Sequence, residues 1–163
     1  MKFLHDATII TSEKEAAGSI LIKDGKIEDI LYKEESDYIP RVLAILKSKP
    51  QIMELEGKCV MAGGIDAHVH FREPGLTHKA DMETESRAAA AGGVTYVMDM
   101  PNTSPATITA KALKEKIDLA KGRTAGKIAF HIGATNTNAD EICRLVQHGD
   151  KETGITPDDI AGV

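Results

Sequence analysis

Up to residue 58, apolar residues come in short runs bounded by turn formers, each too brief for a stable helix. Residues 7–10 read as one short strand. Residues 19–23 and 26–31 are two more, with Asp24-Gly25 between them. Asp-Gly between two such runs is a strong hairpin signal, because a type I′ turn needs positive φ at both central residues. Residues 33–50 are charged and irregular, with Pro40 and Pro50 as breakers, and residues 41–47 fit one or two helical turns. From residue 59 the rhythm changes. Residues 60–70 read as a strand, 79–91 as an Ala-rich helix ended by Gly92-Gly93, and 94–100 as a strand closed by Pro101-Asn102. Residues 109–121 form a helical stripe through Leu113, Ile117 and Ala120, ended by Gly122. A third strand covers 127–133. A third helix covers 138–148, with Asn138 as cap, Glu141 completing a capping box and Gly149 at its end. Residues 159–163 read as the start of a fourth strand.

Strands that alternate with helices imply a parallel α/β sheet, and such sheets carry their chemistry at the C-terminal strand ends. Those ends are polar here. His68, His70 and Arg72 end the first strand, Asn102 follows the second, and Thr135 and Asn136 follow the third.

Composition narrows the function classes. Hydrophobic residues are 42% and charged residues 28% of the 163, a globular balance with enough chain for a sizeable core. The net charge of -5 argues against a nucleic-acid partner, which needs a basic face. No apolar run approaches the roughly 20 residues of a membrane span, and Asp6 and Glu13 interrupt any signal-peptide core. The protein is therefore expected to be cytoplasmic, and Cys59 and Cys143 to be buried thiols with no metal pattern.

The segment Gly63-Gly64-Ile65-Asp66-Ala67-His68-Val69-His70-Phe71-Arg72-Glu73-Pro74-Gly75 is the most informative. Alternation on a strand puts Asp66, His68 and His70 on one face, and Arg72 continues it. Two imidazoles about 6–7 Å apart at their backbones can converge on one divalent ion, and an arginine fork can hold a carboxylate beside it. His-x-His alone is weak, because 6 histidines in 163 residues give about 0.2 such pairs by chance. Its location at a strand end strengthens it. Asp66 and, more weakly, Asp99 are candidates to orient an imidazole. His131 ends the third strand and points toward the same region. His78 starts a helix; His5 and His148 read as surface or terminal residues. The runs Glu34-Glu35 and Asp158-Asp159 read as solvated.

Residues 59–109 closely resemble dihydroorotase, of the metal-dependent amidohydrolase superfamily, through GGIDAHVHFREPGLTHKAD (63–81), ESRAAAAGGVT (85–95) and MDMPNTSP (98–105). The resemblance implies a (β/α)8 barrel, of which residues 59–163 would supply three βα units and the start of strand four. Residues 1–58 would be the β-rich N-terminal segment of a composite β-sandwich. It implies that His68 and His70 ligate the more buried of two metals, usually zinc, and that Arg72 and Asn102 bind the substrate carboxylate. It does not support His131 as a ligand, which leaves that residue a structural or supporting role, and it gives His78 the task of shaping its loop. The reaction implied is the reversible cyclisation of N-carbamoyl-L-aspartate to L-dihydroorotate in pyrimidine biosynthesis. The general acid/base, an Asp on the last barrel strand, and two later histidine ligands lie outside residues 1–163, so the chain reads as the N-terminal part of such an enzyme. A carboxylated lysine directly after Val163 is expected to bridge the metals, with an aspartate from a nearby position as the alternative. The whole protein is expected to act on a small molecule as a homo-oligomer. Two rivals share these motifs: an allantoinase or hydantoinase, and a non-catalytic scaffold subunit. Arg72 counts against the first and the intact His68 and His70 against the second.

Overall fold

Phe3, Ala7, Ile9, Ile20 and Leu31 are the buried apolar residues of three consecutive strands, β1 (Lys2–Ile10), β2 (Glu15–Lys23) and β3 (Lys26–Tyr32). These open a computed structural model that describes residues 1–163. The chain divides into two compact units, Met1–Ala62 and Gly63–Val163.

In the first unit, β1 pairs antiparallel with β2, and β2 with β3. The β2–β3 turn has φ 50° at Asp24 and 77° at Gly25, both positive as the type I′ turn requires. A helix, α1 (Tyr38–Lys47), follows. The short strands β4 (Gln51–Glu54) and β5 (Cys59–Val60) then add parallel to β1, giving the order β3-β2-β1-β4 with β5 also on β1. Strand β1 starts five residues before the apolar run that announces it. The pairing register shifts between Leu4 and Ala7, where Asp6 adopts φ 58°, and that irregularity hides the alternation from Phe3 to Ile9.

In the second unit, β6 (Gly64–Val69), β7 (Val94–Asp99), β8 (Lys127–His131) and β9 (Ile160–Gly162) form a parallel sheet in that order. Helices α2 (Met82–Ala91), α3 (Ala110–Ala120) and α4 (Ala139–His148) connect them. Met82, Leu113 and Leu145 of the helices pack with Phe71, Val97, Phe130 and Ile132 in one core. Asp81 caps α2 through the amides of Glu83 and Thr84, and Thr109 caps α3 through that of Ala112. No helix is long and apolar enough to cross a membrane.

Three expectations change. Residues 60–70 are not one strand: β5 belongs to the first sheet and β6 to the second, separated at Gly63. The predicted capping box of α4 does not form. Asn138 instead donates from Nδ2 to Ile108 O and Gly133 O, while Glu141 accepts from Ala110 N, so tertiary partners take both side chains. Both cysteines are exposed rather than buried: Cys59 lies on a two-residue strand, and Cys143 lies between Ile142 and Leu145-facing core positions, on the outer side of α4.

Candidate metal and carboxylate site

His68 and His70 stand at the C-terminal end of β6. Their ring centroids are 5.2 Å apart with planes at 71°, so the edge of one faces the other. His70 Nδ1 donates to the Asn102 amide oxygen at 2.8 Å. That bond puts the proton on Nδ1 and leaves the lone pair on Nε2, the arrangement a metal-binding imidazole needs. Asn102 follows β7, so the bond joins the ends of two neighbouring strands. Asp66 Oδ1 accepts from the His68 backbone amide at 3.0 Å, so it holds the main chain rather than an imidazole. No group of three or more His, Cys, Asp or Glu gathers in a metal-holding cluster. The two imidazoles are donors of the type that a divalent metal takes, and they stand together at a strand end.

Arg72 does not continue the strand alternation. β6 ends at Val69, and Arg72 has φ 66°, the left-handed region that a side chain with a Cβ rarely adopts. Its carbonyl accepts from Leu76 N at 3.0 Å, closing the turn through cis-Pro74 and Gly75. No carboxylate in the chain pairs with the Arg72 guanidinium. The turn is anchored by Glu73, which is buried. Glu73 accepts from Met82 N at 3.0 Å and from both terminal nitrogens of Arg123, at 3.1 and 3.2 Å. The same carboxylate holds the Arg123 guanidinium above its usual range.

Asp99 makes no bond to an imidazole. It is fully buried on the helix side of β7, where Oδ1 accepts from Phe71 N at 2.8 Å and Oδ2 lies 2.8 Å from Lys116 Nζ. The contact to Lys116 is an ion pair off the hydrogen-bond direction of Oδ2. Lys116 Nζ also donates to Met100 O at 2.8 Å. Burial pushes Lys116 below its ordinary value, and the Asp99 charge opposes that. The sequence holds one signal for this pair: residue 116 falls three after Leu113 on the buried stripe of α3.

The other candidates are dispersed. His131 Nε2 bonds Ala67 O at 3.2 Å, and its Nδ1 is buried without a partner. His78 is exposed in the turn before α2, His148 is exposed at the end of α4, and His5 bonds Glu54 at 2.7 Å. Thr135 and Asn136 are exposed. Glu34 pairs with Lys14 and Glu35 with Arg41. Asp158 is exposed, and Asp159 caps a single 3-10 turn through Thr156.

The profile of the Amidohydrolase family matches residues 59–158. A dihydroorotase of Methanosarcina acetivorans is 40% identical over 130 residues, 80% of this chain and 26% of that protein. "Probable allantoinase 2" of Dictyostelium discoideum is 34% identical over 154 residues, 91% of this chain and 30% of that protein. The L-hydantoinase (dihydropyrimidinase) structure from Arthrobacter aurescens superposes with a TM-score of 0.75 at 29% identity, over 90% of this chain and 30% of that one. The chain thus spans between a quarter and a third of the length of these relatives. The family is metal-dependent, typically on zinc. A profile match that covers three of the four parallel strands and the helices between them, with His68 and His70 at its first strand end, settles the relationship: this chain belongs to the amidohydrolase family.

Proposed function

We propose that this chain is the N-terminal part of a dihydroorotase, which interconverts N-carbamoyl-L-aspartate and L-dihydroorotate. One observation carries the reading. The metal-type histidine His70 shares a hydrogen bond with Asn102, and two residues after His70 the chain offers a cationic fork, Arg72, with no partner of its own. An unpaired guanidinium two residues from a metal-type histidine suits a substrate that carries a carboxylate as well as a scissile ring amide. The resemblance to allantoinase and hydantoinase favours a second reading, a cyclic amidase of that type, but hydantoin and dihydropyrimidine rings give Arg72 no carboxylate to grip. The relatives at about 40% identity are dihydroorotases, which also favours the first.

In this reading residues 59–163 are three βα units and the first residues of strand four of a (β/α)8 barrel, and residues 1–58 belong to a composite β-sandwich. His68 and His70 would hold a zinc ion through ring nitrogens, His70 through Nε2 because its Nδ1 is taken by Asn102. When bound, the metal supplies a Lewis acid that polarises the ring carbonyl and acidifies water. Arg72 takes the substrate carboxylate in a two-point grip, and Asn102 Nδ2 adds a donor while its oxygen stays on His70. Ring closure joins the carbamoyl nitrogen to the side-chain carboxyl carbon and releases water. The proton transfers fall to an aspartate outside residues 1–163. A lysine directly after Val163, carboxylated on its amine, is the proposed bridge between two zinc ions. The whole protein is proposed to be a cytoplasmic homo-oligomer.

The test is Arg72→Ala in the full-length protein. The KM for dihydroorotate should rise by the equivalent of about 1.5–3 kcal/mol, with zinc content unchanged. An unaltered KM removes Arg72 from the site. Turnover of dihydrouracil or hydantoin in preference to dihydroorotate replaces the first reading with the second.

A further inference from the structure

Lys116 occupies a position where the buried stripe of α3 calls for an aliphatic residue. Its side chain is 0% exposed and that of Asp99 is 1% exposed. Replacing a buried ion pair by packed hydrophobic groups is often neutral or stabilising, so such a pair is poor cement. What it can do is fix directions, because each charged atom must reach a particular partner. The partners here are specific. Asp99 Oδ1 takes the amide of Phe71, the residue between His70 and the left-handed Arg72. Lys116 Nζ takes the carbonyl of Met100, two residues before Asn102. Met100 N in turn donates to Val69 O at 2.9 Å, which ties the two strand ends together just before they diverge. A left-handed arginine stores strain that its surroundings must oppose, and the pinned amide of the preceding residue is such a restraint.

We propose that Asp99 and Lys116 are positioning residues for the reaction: Asp99 sets His70 and Arg72 through the Phe71 amide, and Lys116 sets Asn102 through the Met100 carbonyl. The inference rests on the metal and carboxylate roles given above to His70, Arg72 and Asn102. It adds that the pair acts from beneath the site, touching neither substrate nor metal. The two arms are separable. Loss of the Asp99 oxygen loosens both histidine and arginine. Loss of the Lys116 donor alone loosens only the asparagine, which Met100 N and His70 still partly restrain.

The experiment uses the full-length protein with three readouts: cooperative melting, zinc affinity by chelator competition, and KM and kcat for dihydroorotate. Asp99→Leu/Lys116→Met removes both charges at similar volume. It should melt close to the parent, bind zinc about tenfold more weakly and show a KM about tenfold higher. Asp99→Asn/Lys116→Met keeps an oxygen for Phe71 N and drops the donor to Met100 O. It should hold zinc within about twofold of the parent while KM still rises several-fold. A folded Asp99→Leu/Lys116→Met protein with parental zinc affinity and KM overturns the proposal. If that variant does not fold, Asp99→Asn/Lys116→Met decides, and a parental KM there overturns the proposal. Failure of both variants to fold assigns the pair to folding alone and overturns it as well. His70→Ala is the control: unchanged zinc affinity in that variant would overturn the metal reading itself rather than the positioning role.

Discussion

The two units treat charge differently. In Met1–Ala62 the ion pairs Lys14–Glu34, Lys33–Asp6 and Arg41–Asp29 lie at the surface, with every partner one-third exposed or more. The unit Gly63–Val163 also has surface pairs, such as Arg87–Glu83, but it alone buries one completely, Lys116–Asp99. Taking two charges out of water is expensive, and the first unit shows that a sheet of this chain holds together without doing so. The second unit does it at one place, where two strands end beside His70, Arg72 and Asn102. The difference teaches where direction matters more than cohesion.

The largest expected effect tests that contrast directly. Lys116→Met alone leaves the buried Asp99 carboxylate with the Phe71 amide but no counter-charge, which should destabilise the protein by about 3–5 kcal/mol in denaturant unfolding. Arg41→Met in the first unit removes a guanidinium that bonds both Asp29 oxygens, at 2.7 and 2.6 Å, yet water can solvate what remains. Its effect should be near the limit of detection. Equal losses from the two substitutions would erase the distinction between the units.

Much of this was legible in the sequence, and the exceptions share a cause. The parallel α/β unit could be read because its signals are local: Gly92-Gly93, Gly122 and Gly149 follow its helices, and the strands are apolar runs, although the Asp81 cap that starts α2 at Met82 rather than at 79 went unread. The Asp24-Gly25 hairpin was legible for the same reason. What stayed hidden depends on contacts distant in the chain. Asn138 and Glu141 look like a capping box, but Ile108, Gly133 and Ala110 recruit them from the preceding loop and helix. Lys116 falls on the buried stripe of α3, but its partner Asp99 lies 17 residues away on β7, and nothing local announces the pair. Arg72 reads as a strand residue because alternation cannot foresee φ 66°. At the candidate site, the spacing of His68 and His70 was plain, whereas the Asn102 bond to His70 required the strand order β6-β7.

Two glycines make an intermediate test. Gly25 and Gly75 have nearly the same φ, 77° and 80°. A Cβ on Gly25 would meet nothing within 4 Å, whereas one on Gly75 would lie 1.8 Å from Ser104 O. Gly25→Ala should therefore carry only the left-handed penalty of about 1–2 kcal/mol. Gly75→Ala carries that penalty and must also push the Arg72–Leu76 turn away from the chain after Asn102. It should lower stability further and raise the KM for dihydroorotate, which Gly25→Ala should leave unchanged. The comparison fails if the two variants behave alike in melting and kinetics.

The smallest effect is expected from the surface pair Asp6–Lys33, and its sign follows from both partners. The hydrogen bond from Lys33, then its charge, holds the Asp6 carboxyl below the usual 3.8. A lowered carboxylate contributes stability that is complete above the usual value and is lost as pH falls through the lowered one. Asp6 likewise holds Lys33 above the usual 10.5, so its share is present below 10.5 and lost as pH rises through the raised value. The window of benefit runs from about pH 4 to about pH 10, and salt narrows the benefit inside it, because the screening length falls from about 10 Å at 0.1 M to about 3 Å at 1 M. Lys33→Met should lower the melting temperature slightly at pH 7 in low salt, by progressively less as pH falls below 3.8, and not measurably in 1 M salt. The buried pair lies beyond the reach of screening, so the deficit of Lys116→Met should persist in 1 M salt. A salt-sensitive Lys116→Met deficit, or a salt-insensitive Lys33→Met deficit, would show that exposure does not govern what these charges do.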